Sequence, residues 1–205
     1  MTLTAIALNC SLKGRSGEPS STDLMIDLLA GCLAGHDVKL TETIRVVDHD
    51  VKPGVTSDEG AGDAWPELRR RILAADILIF GTPVWLGQMS SVAKRVVERM
   101  DAFLGETDEK GRMPSYGKLV VAAIVGNEDG AHGISAHLYQ ALNDTGWTIP
   151  ASAVCYWVGE AMGKTDFKDL DEVPEKVRSA AAAVASNAAH LAKLLSGSPY
   201  PGTSD

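Results

Sequence analysis

Three cysteines are all that this 205-residue chain carries, and Cys10, Cys32 and Cys155 stand far apart with no Cys-x-x-Cys pair. The close ligand spacing of zinc and iron–sulfur sites is therefore missing, and so is the dense cysteine set of a disulfide scaffold. The thiols are expected to be reduced and packed as small apolar groups in a cytoplasmic protein with no metal site. Positive charge is also short: 19 Lys and Arg face 27 Asp and Glu, for a formal net charge of -8. Binding a nucleic-acid backbone needs clustered cations that displace counterions, so no nucleic-acid partner is expected. No apolar run approaches the ~20 residues of a membrane span, and the amino terminus lacks the basic segment of a signal peptide. Two glycine fingerprints are absent too: neither Gly-x-Gly-x-x-Gly nor Gly-x-x-x-x-Gly-Lys-Ser/Thr occurs, which weighs against dinucleotide and triphosphate loops.

What is present is a 45% hydrophobic chain, long enough to bury one full core over residues 1–196, with 197–205 expected as a frayed tail. Strand-like and helix-like patterns alternate throughout, which predicts a parallel sheet with helices on both faces. Strands are expected at Thr2 to Leu8, Val38 to Val46, Asp76 to Phe80, Leu119 to Val125 and Thr148 to Val158. Helices are expected at Thr22 to Leu33 (apolar stripe Leu24, Leu28, Leu29, Cys32, Leu33), Ala64 to Ala74, Ile134 to Thr145 and Pro174 to Leu195. A further helix, capped by Ser90 or Ser91, buries Val92, Val96, Val97, Met100, Phe103 and Leu104. Residues 48–62 and 105–117 read as polar excursions.

In such a sheet a ligand sits beyond the carboxyl ends of the strands, where strand order reverses, so three loops matter. The first, Asn9 to Asp23, places five hydroxyls and the cations Lys13 and Arg15 before a helix start, a setting that suits a monophosphate. A solvated loop with an ordinary cap is its plain alternative. The second follows the run Ile77 to Phe80, which Gly81 and Pro83 are expected to end; it reads Gly81-Thr82-Pro83-Val84-Trp85-Leu86-Gly87-Gln88-Met89-Ser90 and suits a flat heterocycle. Trp85 packs on such a ring or serves as a surface or interface aromatic. The third, Gly126 to Gly133, offers backbone donors to a ring edge, with Glu128, Asp129 and His132 either facing solvent or joining in.

Ser11-x-Lys13, Ser21-Thr22 and the Gly81 to Ser90 run together resemble the flavodoxin-like NAD(P)H-dependent FMN oxidoreductases, over about residues 2–158. The resemblance implies a three-layer flavodoxin-like α/β fold with a five-stranded parallel sheet in order 2-1-3-4-5. It implies one FMN, NADH or NADPH as electron donor, a small-molecule acceptor such as a quinone or another flavin, and a homodimer or homotetramer. Ser11, Lys13, Ser21 and Thr22 then fall to the phosphate, with Ser16 and Ser20 as alternatives in a first loop longer than usual. Pro83, Val84, Trp85, Leu86 and Gly87 fall to the isoalloxazine, and Asn127, Glu128, Asp129 and Gly130 to its far edge. No side chain is expected to be catalytic, because the flavin carries the chemistry; a backbone N–H from Trp85 to Gly87 could bond flavin N5, and Glu128 and Asp129 near the ring would make it harder to reduce. A flavodoxin-type electron carrier is the alternative. A phospho-receiver is disfavoured, because Gly81-Thr82-Pro83 and Cys10-Ser11 stand where it needs acidic residues.

Overall fold

The computed structural model describes residues 2–14, 17 and 19–203. Along the chain run β1 (Leu3–Asn9), α1 (Ser21–Ala34), β2 (Val38–Arg45), α2 (Trp65–Ala74), β3 (Ile77–Trp85), β4 (Gln88–Met89), α3 (Ser91–Met100), β5 (Leu119–Gly126), α4 (Ala131–Asp144), β6 (Val154–Val158) and α5 (Glu175–Gly197). Five strands pair in parallel in the order β2-β1-β3-β5-β6, and β4 folds back antiparallel on β3. This is the expected flavodoxin-like order, with one short hairpin strand added.

β1, β3 and β5 lack alternation because both faces are covered. On one face α2, α3 and α4 close over Trp65, Leu68, Phe80, Met100, Phe103 and Trp147. On the other, α1 and the alanine-rich α5 close over Met25, Ile26, Leu29, Val121, Val184 and Ala188. The α1 stripe differs from the expected one: Thr22, Met25, Ile26, Leu29 and Leu33 are buried, whereas Leu24 is exposed and Leu28 and Cys32 lie at the margin. With several leucines on this helix, composition alone does not fix its rotation. In α3, Ala93, Val96, Arg99 and Met100 are buried and Leu104, beyond it, is exposed.

Gly81 and Pro83 do not end β3. Gly81 lies inside the strand because α1 packs closely there: a Cβ would sit 2.7 Å from Ile26 Cδ1 and 2.9 Å from Thr22 Cγ2. Pro83 is tolerated because β1 pairs only as far as Gly81, whose carbonyl accepts from Cys10 N–H at 2.9 Å. Two residues on, the missing N–H faces the side that β1 has left. The last strand is shorter than expected, since Pro150 and the left-handed Ser152 (φ 56°) interrupt the extended run and leave only the Leu119–Thr148 bridge before Val154. In β2 the register to β1 shifts after Ala5, and Thr41 donates its hydroxyl to Ala5 O at 2.9 Å.

The polar excursion 48–62 is anchored from below. Arg99 and Asp63 form a 2.7 Å ion pair with both side chains out of solvent, and Arg99 also donates to Lys52 O (2.9 Å) and Thr56 O (3.1 Å). Asp63 accepts from the N–H groups of Lys52, Glu59 and Trp65. Residues 198–203, expected to fray, lie against the 105–117 excursion: Tyr200 meets Tyr116 edge-on at 5.8 Å and shares a 3.1 Å hydrogen bond with Thr148 Oγ1, while Thr203 N–H reaches Lys110 O.

Burial alone would raise the Asp63 carboxyl, but Arg99 and the three backbone donors outweigh it and hold it well below the usual range. A lowered folded-state pKa contributes stability above the unfolded value near ~3.9 and loses it as pH falls through the folded one. Arg99→Leu leaves that charge buried without its partner, so urea unfolding at pH 7 should show a loss of about 3–5 kcal/mol. The difference between variant and wild type should shrink as the medium is acidified below pH ~4.

Candidate functional site

The carboxyl ends of the strands meet the first loop in one hydrogen-bonded knot. Asn9, buried at the end of β1, donates to Asp23 Oδ1 (2.5 Å) and Ser20 Oγ (3.2 Å), and its Oδ1 accepts the Ser11 N–H at 2.9 Å. Ser20 caps α1: its Oγ accepts from Asp23 N–H, and its own N–H donates to Asp23 Oδ2 at 2.7 Å. Arg45, at the end of β2, pairs with Asp23 and donates to Ser11 Oγ (3.3 Å) and Lys13 O (2.8 Å). Burial would raise Asp23, yet hydrogen bonds from the Ser20 backbone, Arg45, the Ser20 hydroxyl and Asn9 leave it below the usual carboxylate range. The knot brings Ser11, Lys13 and the start of α1, whose first-turn N–H groups can meet an anion, to the lining of one cleft.

The second loop is a two-residue hairpin between β3 and β4, with Trp85 paired to Gln88. Both central residues have positive φ, Leu86 at 51° and Gly87 at 74°, the pattern of a type I′ turn. A leucine held there is strained, and Leu86 is 91% exposed. The third loop holds this hairpin: Glu128 Oε1 accepts the Leu86 N–H at 2.8 Å, and a Cβ on Gly130 (φ 146°) would stand 2.8 Å from Gly87 Cα. Ser90, the α3 cap, ties the hairpin's far end to the first loop by donating to Cys10 O at 2.6 Å.

Between these loops lies a cleft of about 420 Å³, of small-molecule size and mostly apolar. Ser11, Lys13, Ser21, Thr22, Pro83, Val84, Trp85, Leu86, Asn127 and Glu128 line it, as expected from the sequence. Gly87, Asp129 and Gly130 do not. The two glycines pack against each other behind the hairpin, and the exposed Asp129 accepts its neighbour's N–H at 2.7 Å. Ser21 Oγ accepts from Lys168 N–H, and Ser20 is in the lining. Ser16 and Arg15 lie outside the described residues. His132 is exposed and meets Tyr156 edge-on at 5.1 Å.

The fourth wall escapes a reading based on three loops. Trp157 from β6 and Met162, Asp166 and Phe167 from the segment after it line the cleft, with Trp157 against Phe167 at 5.6 Å. The rule that placed the other loops, ligands beyond the carboxyl ends of the strands, applies equally to the end of this strand. Arg45 is missed as well, because a charged residue at a strand end gives no pattern in the sequence. A larger, more open hollow of about 710 Å³ lies between the 105–117 excursion and Tyr200, but its charges are already paired, Arg112 with Asp108 and Glu106 with Arg69.

The cleft fits FMN on its own chemistry. At one end stand hydroxyls, helix N–H groups and Lys13 for a phosphate; along its length, Val84, Trp85, Leu86 and Trp157 offer an apolar slot for a flat ring. Cys10 is buried, and burial drives its thiol far above the usual range, so it takes no part as a thiolate.

Comparisons with known proteins point the same way. A family model for NADPH-dependent FMN reductase matches residues 3–162. The divalent metal cation transporter MntH of Mycobacterium bovis is 42% identical over 163 residues, which are 78% of this chain but only 24% of that protein, so the chain spans about a quarter of that relative's length. Among the described residues, no helix is long and apolar enough to cross a membrane. The 8-demethyl-8-aminoriboflavin-5'-phosphate synthase of Streptomyces davaonensis is 32% identical, covering 98% of this chain and 81% of its own. The solved structure of RosB with bound 8-demethyl-8-formylriboflavin-5'-phosphate superposes with a TM-score of 0.86 at 28% identity, over 97% of this chain and 82% of that one. Matched over most of its length by one family's model and over nearly all of it by an enzyme of flavin phosphates, the chain belongs to the NADPH-dependent FMN reductase family.

Proposed function

We propose that this chain is an FMN-dependent oxidoreductase that draws electrons from NADPH or NADH and passes them to a quinone, a flavin or a similar small acceptor. The observation that carries the reading is the joining, in one cleft, of a helix start with Ser11, Lys13, Ser21 and Thr22 to the apolar side chains of Val84, Trp85, Leu86 and Trp157. Bound FMN would supply the redox step, taking a hydride from the nicotinamide and handing the electrons on. The chain's part is to hold and tune. Ser11, the first turn of α1 and Lys13 fix the phosphate, with Arg45 keeping Ser11 and the Lys13 carbonyl in place from beneath. Trp85, 52% exposed at the cleft edge, and Leu86 exclude water from one side of the slot. Of the Trp85 to Gly87 N–H groups from which a bond to the ring is expected, that of Leu86 is held by Glu128, so this carboxylate sets both the hairpin's position and the local charge.

A second reading is that the flavin phosphate is itself the molecule converted. It is favoured by the synthase relative that covers 98% of the chain. The electron-carrier alternative requires no nicotinamide oxidation.

Anaerobic mixing with FMN and then NADPH or NADH separates these readings. Rapid bleaching of the flavin band, with FMN of unchanged mass recovered afterwards, is the expected result. A flavin of altered mass supports the second reading, bound FMN that no nicotinamide bleaches supports the carrier, and failure to bind FMN refutes all three. Lys13→Ala should weaken FMN about tenfold at low salt and leave riboflavin, which lacks the phosphate, unaffected in fluorescence titrations. Glu128→Gln keeps an acceptor for Leu86 N–H but removes a charge that opposes added electrons. The midpoint potential of the bound flavin should therefore rise by about 20–40 mV, the two-electron equivalent of about 1–2 kcal/mol. Asp129→Asn should leave it unchanged, and equal shifts in a spectroelectrochemical titration would contradict this assignment.

A further inference from the structure

The family's matched region ends at Met162, yet the wall of the cleft continues through Asp166 and Phe167. This segment is fastened at three points along the cleft. Near its start, Gly159 N–H donates to Gly126 O (2.8 Å) and Met162 N–H to Asn127 O (3.2 Å). In the middle, Asn127 Nδ2 donates to Asp166 Oδ1 at 2.8 Å. At its end, Lys168 N–H donates to Ser21 Oγ at 3.2 Å, on the first turn of α1 where the phosphate is assigned.

Resting on the FMN reading above, we propose that residues 159–169 form a strap that reads the polyol linker of a flavin phosphate, with Asp166 as the acceptor for its hydroxyls. Asp166 is two residues from the strap's attachment to the first turn of α1, a reach of at most ~7 Å, and lines the same cleft as Trp157. In FMN the part between phosphate and ring is a chain of hydroxyls. A carboxylate is acceptor-only and has room for several donors on its two oxygens, of which Asn127 takes one. It repels a phosphate and gains nothing from an apolar ring face, whereas neutral hydroxyls are the donors that match it. Lys168 pairs with Asp169 at 2.7 Å, so the Asp169 carboxylate does not stand unopposed at that end of the strap.

Three flavins distinguish this role from simple fastening: FMN, riboflavin, which has the linker without phosphate, and lumiflavin, which has the ring alone. Fluorescence titrations of the full chain should show Asp166→Ala weakening FMN and riboflavin by about tenfold or more. Lumiflavin affinity should not change. Asp166→Asn keeps an acceptor oxygen and should recover part of the loss for the same two flavins, and it serves alone if the alanine variant does not fold. Equal losses for all three flavins would make Asp166 a fastener of the strap or a contact to a ring N–H, and no loss for any would remove it from the site; either overturns the proposal while leaving the FMN reading intact. Absence of flavin binding by the wild-type chain overturns the FMN reading itself.

Discussion

The Asp23 carboxylate gathers four donors from three places in the chain: Asn9 ending β1, Arg45 ending β2, and both the backbone and the hydroxyl of Ser20 before α1. Two strands and a helix are thereby registered on one charge, and the first loop hangs from the same knot through Ser11 and the Lys13 carbonyl. A half-buried carboxylate is costly unless its oxygens are satisfied, and here satisfaction and loop placement are one arrangement. The second loop keys onto it through Ser90, whose hydroxyl donates to Cys10 O and accepts the Ala93 N–H at the start of α3.

Glycine plays two different roles around the cleft. Gly81 is demanded from behind, by the side chains of α1 that press on β3. Gly130 is demanded from the side, because its Cβ would strike the Gly87 backbone where the second and third loops meet, whereas a Cβ on Gly87 would meet only Asp129 O at 3.8 Å. The first admits a helix close to the sheet, and the second admits one loop close to another. Of these three, Gly87 and Gly130 are called for by backbone conformation, at φ 74° and 146°.

Much of the architecture is legible in the sequence because strands covered on both faces leave unbroken apolar runs, as in Leu119 to Val125, and helices leave periodic ones. The strand ends are less legible. Gly81 and Pro83 look like terminators, and only the early departure of β1 explains why a proline can sit inside β3. The buried Arg99–Asp63 pair is invisible for the same reason as Arg45: a charge that is satisfied in the interior reads like any surface charge. Ten of the thirteen expected site residues line the cleft, since loops at strand ends announce themselves by glycine and hydroxyl content. The wall from Trp157 to Phe167 does not, because its residues carry no shared spacing and converge only through the fold.

The shift of register at Thr41 matters beyond β2 itself. β2 forms one border of the sheet, and a border strand offers a row of unused backbone groups to any other extended chain. Thr41 spends its hydroxyl on Ala5 O and throws the strand out of even pleat, while Lys39 and Glu42, the latter held by Arg71, put charge along the same stretch. A border that is kinked and charged is a poor template for recruiting a neighbour, so the open side of the sheet discourages fibre-like association of the chain with copies of itself.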